Sequence, residues 1–308
     1  MANLKELSKR PERLASGHRM CIGCGVPIGI RQILLGTDKP VVVGTATGCL
    51  EVCTTIYPYT SWKVPWIHNA FENVAATMSG VETAHRVLAK QGKAEKDVKF
   101  VAFGGDGGTY DIGLQSLSGT LERGHNVFYV CYDNEAYMNT GIQRSSATPF
   151  GASTKTDPAG QVRQGKQEFK KDLTKVVAAH NIPYVCQASI HNYNDTIMKA
   201  TKAFETLGPS FMNILTPCTA GWVFPYWETV KIAKLATDIC FWPLDEIENG
   251  QWKLNYDPGE RKVPVTDWLK PQRRFAHLFR PGNEDMLKKI QEHVDKEWEE
   301  LKKRCSAA

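Results

Sequence analysis

No apolar run in this chain approaches the ~18 residues needed for a bilayer-spanning helix, which excludes an integral helical membrane protein. The N-terminal stretch MANLKELSKRPERLASGHRM lacks the apolar centre of a secretory signal, so the cytoplasm is the default expectation. There is no large excess of one charge either. The net charge is +5 over 308 residues, and Lys and Arg are dispersed, which gives no indication of a nucleic-acid partner. They concentrate only in the last helix, where Glu and Asp are mixed with them as on a solvated face. Internal repeats and low-complexity tracts are also missing. What remains is ordinary for a soluble globular chain, 42% hydrophobic and 23% charged. Nine cysteines in a chain with no secretory signal argue against a disulfide framework.

The chain alternates short apolar runs with helical patterns. Pro27–Leu35 reads as a helix, 40–44 as a buried strand and Ala70–Lys90 as a long helix. Strand 98–103, helix 111–123 and strand 126–132 form a β-α-β unit. Helix 170–180, strand 183–188, helix 194–206 and strand 210–216 continue the alternation. Apolar strands of this kind imply an α/β fold with a doubly wound, mainly parallel sheet covered on both faces. Residues 1–20 read as an exposed polar arm. Residues 140–168 read as a long loop, placed over a ligand by its departure from Asn139. Residues 1–240 are expected to form the main domain. Residues 241–308, an Asn-Gly hairpin and an amphipathic helix over 283–304, are expected to form an extension that packs on that domain or on a partner subunit.

Asp106 lies in Gly-Gly-Asp-Gly-Gly (104–108), directly after the run Val98–Phe103, and Asn134 follows 28 residues later, after Val127–Tyr132. A carboxylate and a carboxamide at the ends of adjacent parallel strands suit a hard cation, which takes oxygen ligands and shares them with phosphate. Gly105 and Gly107 allow the backbone to approach a diphosphate, and a helix starting near Tyr110 points its amides at it. The plain alternative is a strand-to-helix turn with an aspartate cap. The Asp133-Asn134 pair at the fitting distance favours the diphosphate.

Cys21 and Cys24 form a Cys-x-x-Cys turn, followed by Cys49, Cys53 and Cys218. Zinc normally brings a second nearby pair, and a redox dithiol normally opens the helix of a thioredoxin-like unit. An iron–sulfur cluster accepts dispersed thiolates. Spacing alone leaves a structural role, zinc and iron–sulfur open. Cys131, Cys186 and Cys240 sit in core contexts, and Cys305 reads as an exposed tail thiol.

The runs GHRMCIGCG (17–25), ATGCLEVCTTIYPYTSWKVPWIHNAFENVAATMSGVETA (46–84) and GGDGGTYDIGLQSLSGTLERGHNVFYVCYDNEAYMNTGIQRSSATP (104–149) carry a resemblance. Gly-Asp-Gly with a later Asn resembles the magnesium–thiamine diphosphate fingerprint. More narrowly, the chain resembles the β subunits (the thiamine diphosphate-binding chains) of 2-oxoacid:ferredoxin oxidoreductases of the pyruvate synthase type, over most of residues 17–220.

That resemblance implies a [4Fe-4S] cluster on Cys21, Cys24, Cys49 and Cys218, with Cys53 a neighbour. It implies Mg2+ held by Asp106, Asn134 and the backbone carbonyl of Ala136, with Gly105 and Gly107 against the phosphates. Asn139 is matched to a position near the thiazolium and substrate, and Val52 to a pocket-lining position. His68 and Asn69 remain between an active-site role and a buried structural one. The implied reaction is oxidative decarboxylation of a small 2-oxoacid: pyruvate first, with oxalate and 2-oxoisovalerate open. Electrons leave singly to ferredoxin, and coenzyme A takes the acyl group in most of the family. The implied partners are an α chain completing the thiamine and substrate site and a chain or domain carrying further [4Fe-4S] clusters. A thiamine-dependent decarboxylase or carboligase without a cluster, and a zinc-bearing scaffold, are the rival readings.

Overall fold

The computed structural model describes residues 3–306. One eight-stranded sheet organises them. Its strands are β1 (Val41–Ala46), β2 (Trp66–Asn69), β3 (Lys99–Gly105), β4 (Phe128–Asp133), β5 (Tyr184–Ser189), β6 (Ser210–Leu215), β7 (Asp245–Glu248) and β8 (Gln251–Leu254). The spatial order is β2-β1-β3-β4-β6-β5-β7-β8. The first six are parallel, and β7 and β8 join antiparallel at the β5 edge. The helices are α1 (Leu4–Leu7), α2 (Gly25–Leu34), α3 (Cys49–Thr54), α4 (Val74–Lys90), α5 (Leu114–Glu122), α6 (Leu173–Ala178), α7 (Tyr193–Glu205), α8 (Thr229–Asp238), α9 (Val265–Leu269) and α10 (Glu284–Ser306). None of them is long and apolar enough to cross a membrane.

The central strands are buried along nearly their whole length, because helices cover both faces. On one face Val43, Phe103, Val130 and Ile214 pack with α2 and α7. On the other, Ala102, Tyr129, Val185 and Phe211 pack with α4, α5 and α6. A third apolar cluster, rich in tryptophan, gathers Trp222, Trp242, Trp268 and Trp298 with α8, α9 and α10. The hairpin therefore extends the main sheet, and its Asn249-Gly250 turn takes the two positive φ angles that this dipeptide tolerates.

Several expectations need correction. Residues 3–20 are mostly exposed, as expected of a polar arm, but they are anchored to the domain. Leu14 is fully buried and bridges Trp62, and Arg13 donates to the carbonyls of Leu34, Thr37 and Lys39 just past the end of α2; Met1 and Ala2 lie outside the described residues. The long helix begins at Val74, not Ala70, because Trp66–Asn69 forms an edge strand whose last carbonyl accepts from Thr47. A π-helical turn at Gly107–Asp111 precedes α5 and delays it. The long loop reaches Asp106 through Ser145, whose hydroxyl donates to its carboxylate. It is also tied down: the buried Lys166 ammonium donates to the carbonyls of Ser145, Ser146 and Thr148. Cys305 is half-buried against the tryptophan cluster rather than exposed.

Candidate active site

The chain runs from β1 to β2 on one side and returns to β3 on the other. The turns after β1 and β3 thus diverge at a topological switch point, where parallel sheets leave a crevice at their carboxyl ends. That crevice is lined by Thr47, Gly48 and Cys49 after β1, by Gly105–Gly108 after β3, and by Asn134 and Ala136–Thr140 after β4. Cys218 follows β6 at the same sheet edge. Strand pairing therefore brings four sequence-distant turns together.

Asp106 is 1% exposed. Its Oδ2 accepts from Ser145 Oγ at 2.5 Å. On the Oδ1 side, one end of the Asn134 carboxamide lies 2.9 Å from Oδ1 and 3.0 Å from the Ala136 carbonyl oxygen. With nitrogen inward, that amide donates to both acceptors. With oxygen inward, three oxygens face one point, the donor set a hard cation takes. Glu135, between the two, has φ of 68°, which turns the Ala136 carbonyl into this arrangement. The glycines are required by aromatic packing: a Cβ on Gly107 would fall 2.3 Å from the Tyr137 ring, and one on Gly105 would fall 3.2 Å from that of Tyr132.

Beneath these groups lies a buried ion network that has no signature in the local sequence. Lys170 Nζ is 2.7 Å from Asp133 and 3.2 Å from Glu135. Arg274 reaches Glu135 at 2.6 Å and lies over the Trp222 ring. Tyr110 donates to Asp133 at 2.6 Å. Burial, then the Asp133 charge, pushes the Asp106 carboxyl well above the usual range. Burial opposes the Lys170 ammonium, but Asp133 and Glu135 outweigh it and raise its pKa. Three buried carboxyls thus face two buried cations, and Asp106, the one without a cationic partner, is held in its neutral, protonated form.

The thiol turns are riveted to one another. Gly25 N donates to Pro217 O at 3.1 Å, Thr219 Oγ1 to Ile22 O at 3.1 Å, and Thr229 Oγ1 to Gly23 O at 2.6 Å. Trp222, four residues past Cys218, donates through Nε1 to Asn134 O at 2.7 Å and so joins the thiol turn to the oxygen turn. Cys218 Sγ accepts from Gly221 N at 3.3 Å. Burial first, and then the charges of Cys218, Cys21 and Cys53, pushes the Cys24 thiol up to about 12. Cys49 is raised too, by burial and then by Cys218, Cys24, Cys53 and Cys21. Cys21, Cys24, Cys49 and Cys218 are therefore within electrostatic reach of one another, with Cys53 beside them. Among the described residues no three His, Cys, Asp or Glu side chains close on a single ion. Reactive thiols have depressed pKa values, whereas burial raises those of Cys24, Cys49, Cys53 and Cys218. To become thiolates together they need a positive partner such as a metal centre.

The remaining candidates are placed as follows. Gly105, Gly107 and Asn139 line the crevice, Asn139 at its exposed rim. Val52 is 42% exposed and is not among the lining residues. His68 is half-exposed, with Nδ1 3.1 Å from Glu51, so it is not a buried structural histidine. Asn69 is buried and donates to backbone carbonyls.

Residues 43–214 match the family described as thiamine pyrophosphate enzyme, C-terminal TPP binding domain. The chain is 50% identical over 305 residues to pyruvate synthase subunit PorB of Thermotoga maritima, covering 96% of this chain and 93% of that protein. It is 51% identical over 288 residues to PorB of Methanocaldococcus jannaschii, covering 93% and 95%. Ketoisovalerate oxidoreductase subunit VorB of Pyrococcus abyssi is 41% identical over 293 residues, covering 95% and 93%. Among solved structures, 2-oxoglutarate:ferredoxin oxidoreductase from Magnetococcus marinus superposes with a TM-score of 0.55 at 21% identity, covering 67% of this chain and 66% of that one. That likeness supports the fold.

Proposed function

Because the chain belongs to the thiamine pyrophosphate enzymes and, among them, to the pyruvate synthase-type subunits of 2-oxoacid:ferredoxin oxidoreductases, we propose that it holds Mg2+–thiamine diphosphate and a [4Fe-4S] cluster side by side. The observation that carries the reading is the shared crevice: Cys49 and Asp106 line the same cleft, with the other three thiols in electrostatic reach of Cys49. A thiamine enzyme without a cluster has no use for that thiol set.

Asp106, the Asn134 carboxamide oxygen and the Ala136 carbonyl supply the cation's protein ligands. The backbone at Gly105 and Gly107 faces the diphosphate. Bound thiamine diphosphate supplies the electron sink for decarboxylation of a 2-oxoacid. Asn139, at the rim, orients the substrate end. Cys21, Cys24, Cys49 and Cys218 hold the cluster, and N–H groups at Val26, Ala220 and Gly221 stabilise the thiolates of Cys24 and Cys218. Pyruvate is the substrate we assign, since the PorB relatives named for pyruvate exceed VorB in identity. The groups that activate the thiamine and grip the substrate carboxylate are assigned to a partner α chain. Further clusters, ferredoxin and coenzyme A complete the system.

The test is anaerobic purification of the complex, followed by iron, sulfide and thiamine analysis and pyruvate-dependent viologen reduction. Iron and thiamine diphosphate bound to this chain, both lost on Cys49→Ala and Asp106→Ala respectively, are expected. Thiamine diphosphate binding with no iron would overturn the cluster assignment.

A further inference from the structure

The two oxygens of the Asp106 carboxyl have separate surroundings. Oδ1 lies 2.9 Å from the inward end of the Asn134 carboxamide, which is itself 3.0 Å from the Ala136 carbonyl oxygen; this is the side assigned above to the cation. Oδ2 lies 2.5 Å from the hydroxyl of Ser145, a fully buried residue. Neighbouring bonds decide where the Ser145 proton goes. Its oxygen accepts from the Ala147 N–H at 3.1 Å. The Thr148 hydroxyl, 3.4 Å away, places its own proton on the Glu135 carbonyl at 2.7 Å, and its oxygen accepts from the Ser145 N–H at 3.0 Å. The Ser145 proton is left one acceptor, Asp106 Oδ2. The segment that carries the serine is held in place as well. Lys166 caps the carbonyls of Ser145, Ser146 and Thr148, and the Ser146 N–H donates to Asp111 at 3.0 Å.

We propose that Ser145 is a positioning residue that selects the metal: by occupying Oδ2 it leaves Asp106 a single oxygen to offer, which favours Mg2+ over Ca2+. This rests on the cation reading above. Mg2+ demands a tight octahedron, whereas Ca2+ takes more oxygens at longer range and accepts both oxygens of one carboxylate. An Oδ2 freed from the serine therefore adds a ligand for Ca2+ and none for Mg2+. A hydrogen bond to a carboxylate is among the strong ones, so the restraint is large enough to measure.

The experiment is a competition titration of the complex with thiamine diphosphate present, in which Mg2+ or Ca2+ displaces Mn2+ and the EPR signal of Mn2+ is followed. In Ser145→Ala the ratio of Ca2+ to Mg2+ affinity is expected to rise about tenfold, the worth of one hydrogen bond to a charged group. A merely structural role would weaken both metals together and leave the ratio where it was. That outcome overturns the proposal, as does a ratio that moves toward Mg2+. Ser145→Cys keeps the shape with a weaker donor and is expected to move the ratio the same way by less. If Ser145→Ala does not assemble, the cysteine variant decides, and an unchanged ratio there overturns the proposal equally. Should the unaltered complex hold no Mn2+ in the presence of thiamine diphosphate, the cation reading itself fails and this proposal with it, a result distinct from an unchanged ratio.

Discussion

Asp106 is buried beside a second carboxyl, Asp133, and keeps one oxygen on Ser145. Burial keeps this carboxyl protonated until a cation at its other oxygen, toward Asn134 and Ala136, displaces the proton and draws out its charge. Replacing Asp106 with Asn preserves shape and removes that charge. The affinity of the complex for Mn2+ in the presence of thiamine diphosphate is expected to fall tenfold or more by EPR titration, and an unchanged affinity would remove Asp106 from the cation site. Asp245 offers a pH test away from the cofactors. Burial raises its pKa from 3.8 to about 7. The native state therefore binds this proton more tightly than the unfolded chain does, and stability is lost as pH rises from about 4 to 7. Asp245→Asn should abolish that slope, worth on the order of 4 kcal/mol at its upper limit. Thermal unfolding at pH 5 and pH 8 checks it: equal pH dependence in both proteins would contradict the assignment.

The element that shapes the oxygen ligands is the turn after β4, and it is held from outside. Glu135 adopts a left-handed backbone there, which costs about 1–3 kcal/mol for a residue with a side chain, and Arg274 and Lys170 fasten its carboxylate. Breaking one member of a buried pair leaves an uncompensated charge and costs about 3–5 kcal/mol. Arg274→Gln should therefore lower the unfolding temperature markedly and weaken Mn2+ binding. Adding Glu135→Gln should recover part of the stability, and a purely additive double variant would show that the two do not couple. Here a residue from the C-terminal segment supports a turn 139 positions earlier, so residues 257–306 contribute to the site without lining it.

At the scale of the molecule, the crevice opens at the carboxyl ends of the strands, and among the described residues Asp106 is the one carboxylate in its lining. The polypeptide alone, supplied with thiamine diphosphate, Mg2+ and reconstituted iron, is expected to show no pyruvate-dependent dye reduction, and mixing with the α chain is expected to restore it. Substantial activity of the single chain would overturn the division of labour. The exposed faces fit a subunit as well: Tyr57 and Tyr59 are 93% and 77% exposed beside Cys53, and Trp227 is 71% exposed beyond Cys218.

How much was readable depends on distance along the chain. The Asp106–Asn134 spacing was legible because each residue ends an apolar run, and the runs themselves reveal parallel strands. The Cys-x-x-Cys turn was legible for the same local reason. Four-residue β2, with two exposed positions, was not, since it carries neither alternation nor an apolar run. Ser145, Lys170 and Arg274 gave no signal, because their meaning comes from contacts made tens to more than a hundred residues away. Periodicity and punctuation are local properties, and they determined the sheet class and the strand-end turns. Which turns share a crevice, which carboxyls share a buried charge network, and which hydroxyl holds one oxygen of Asp106 were decided only by strand order and packing, because burial and electrostatic coupling exist only between residues the fold has brought together.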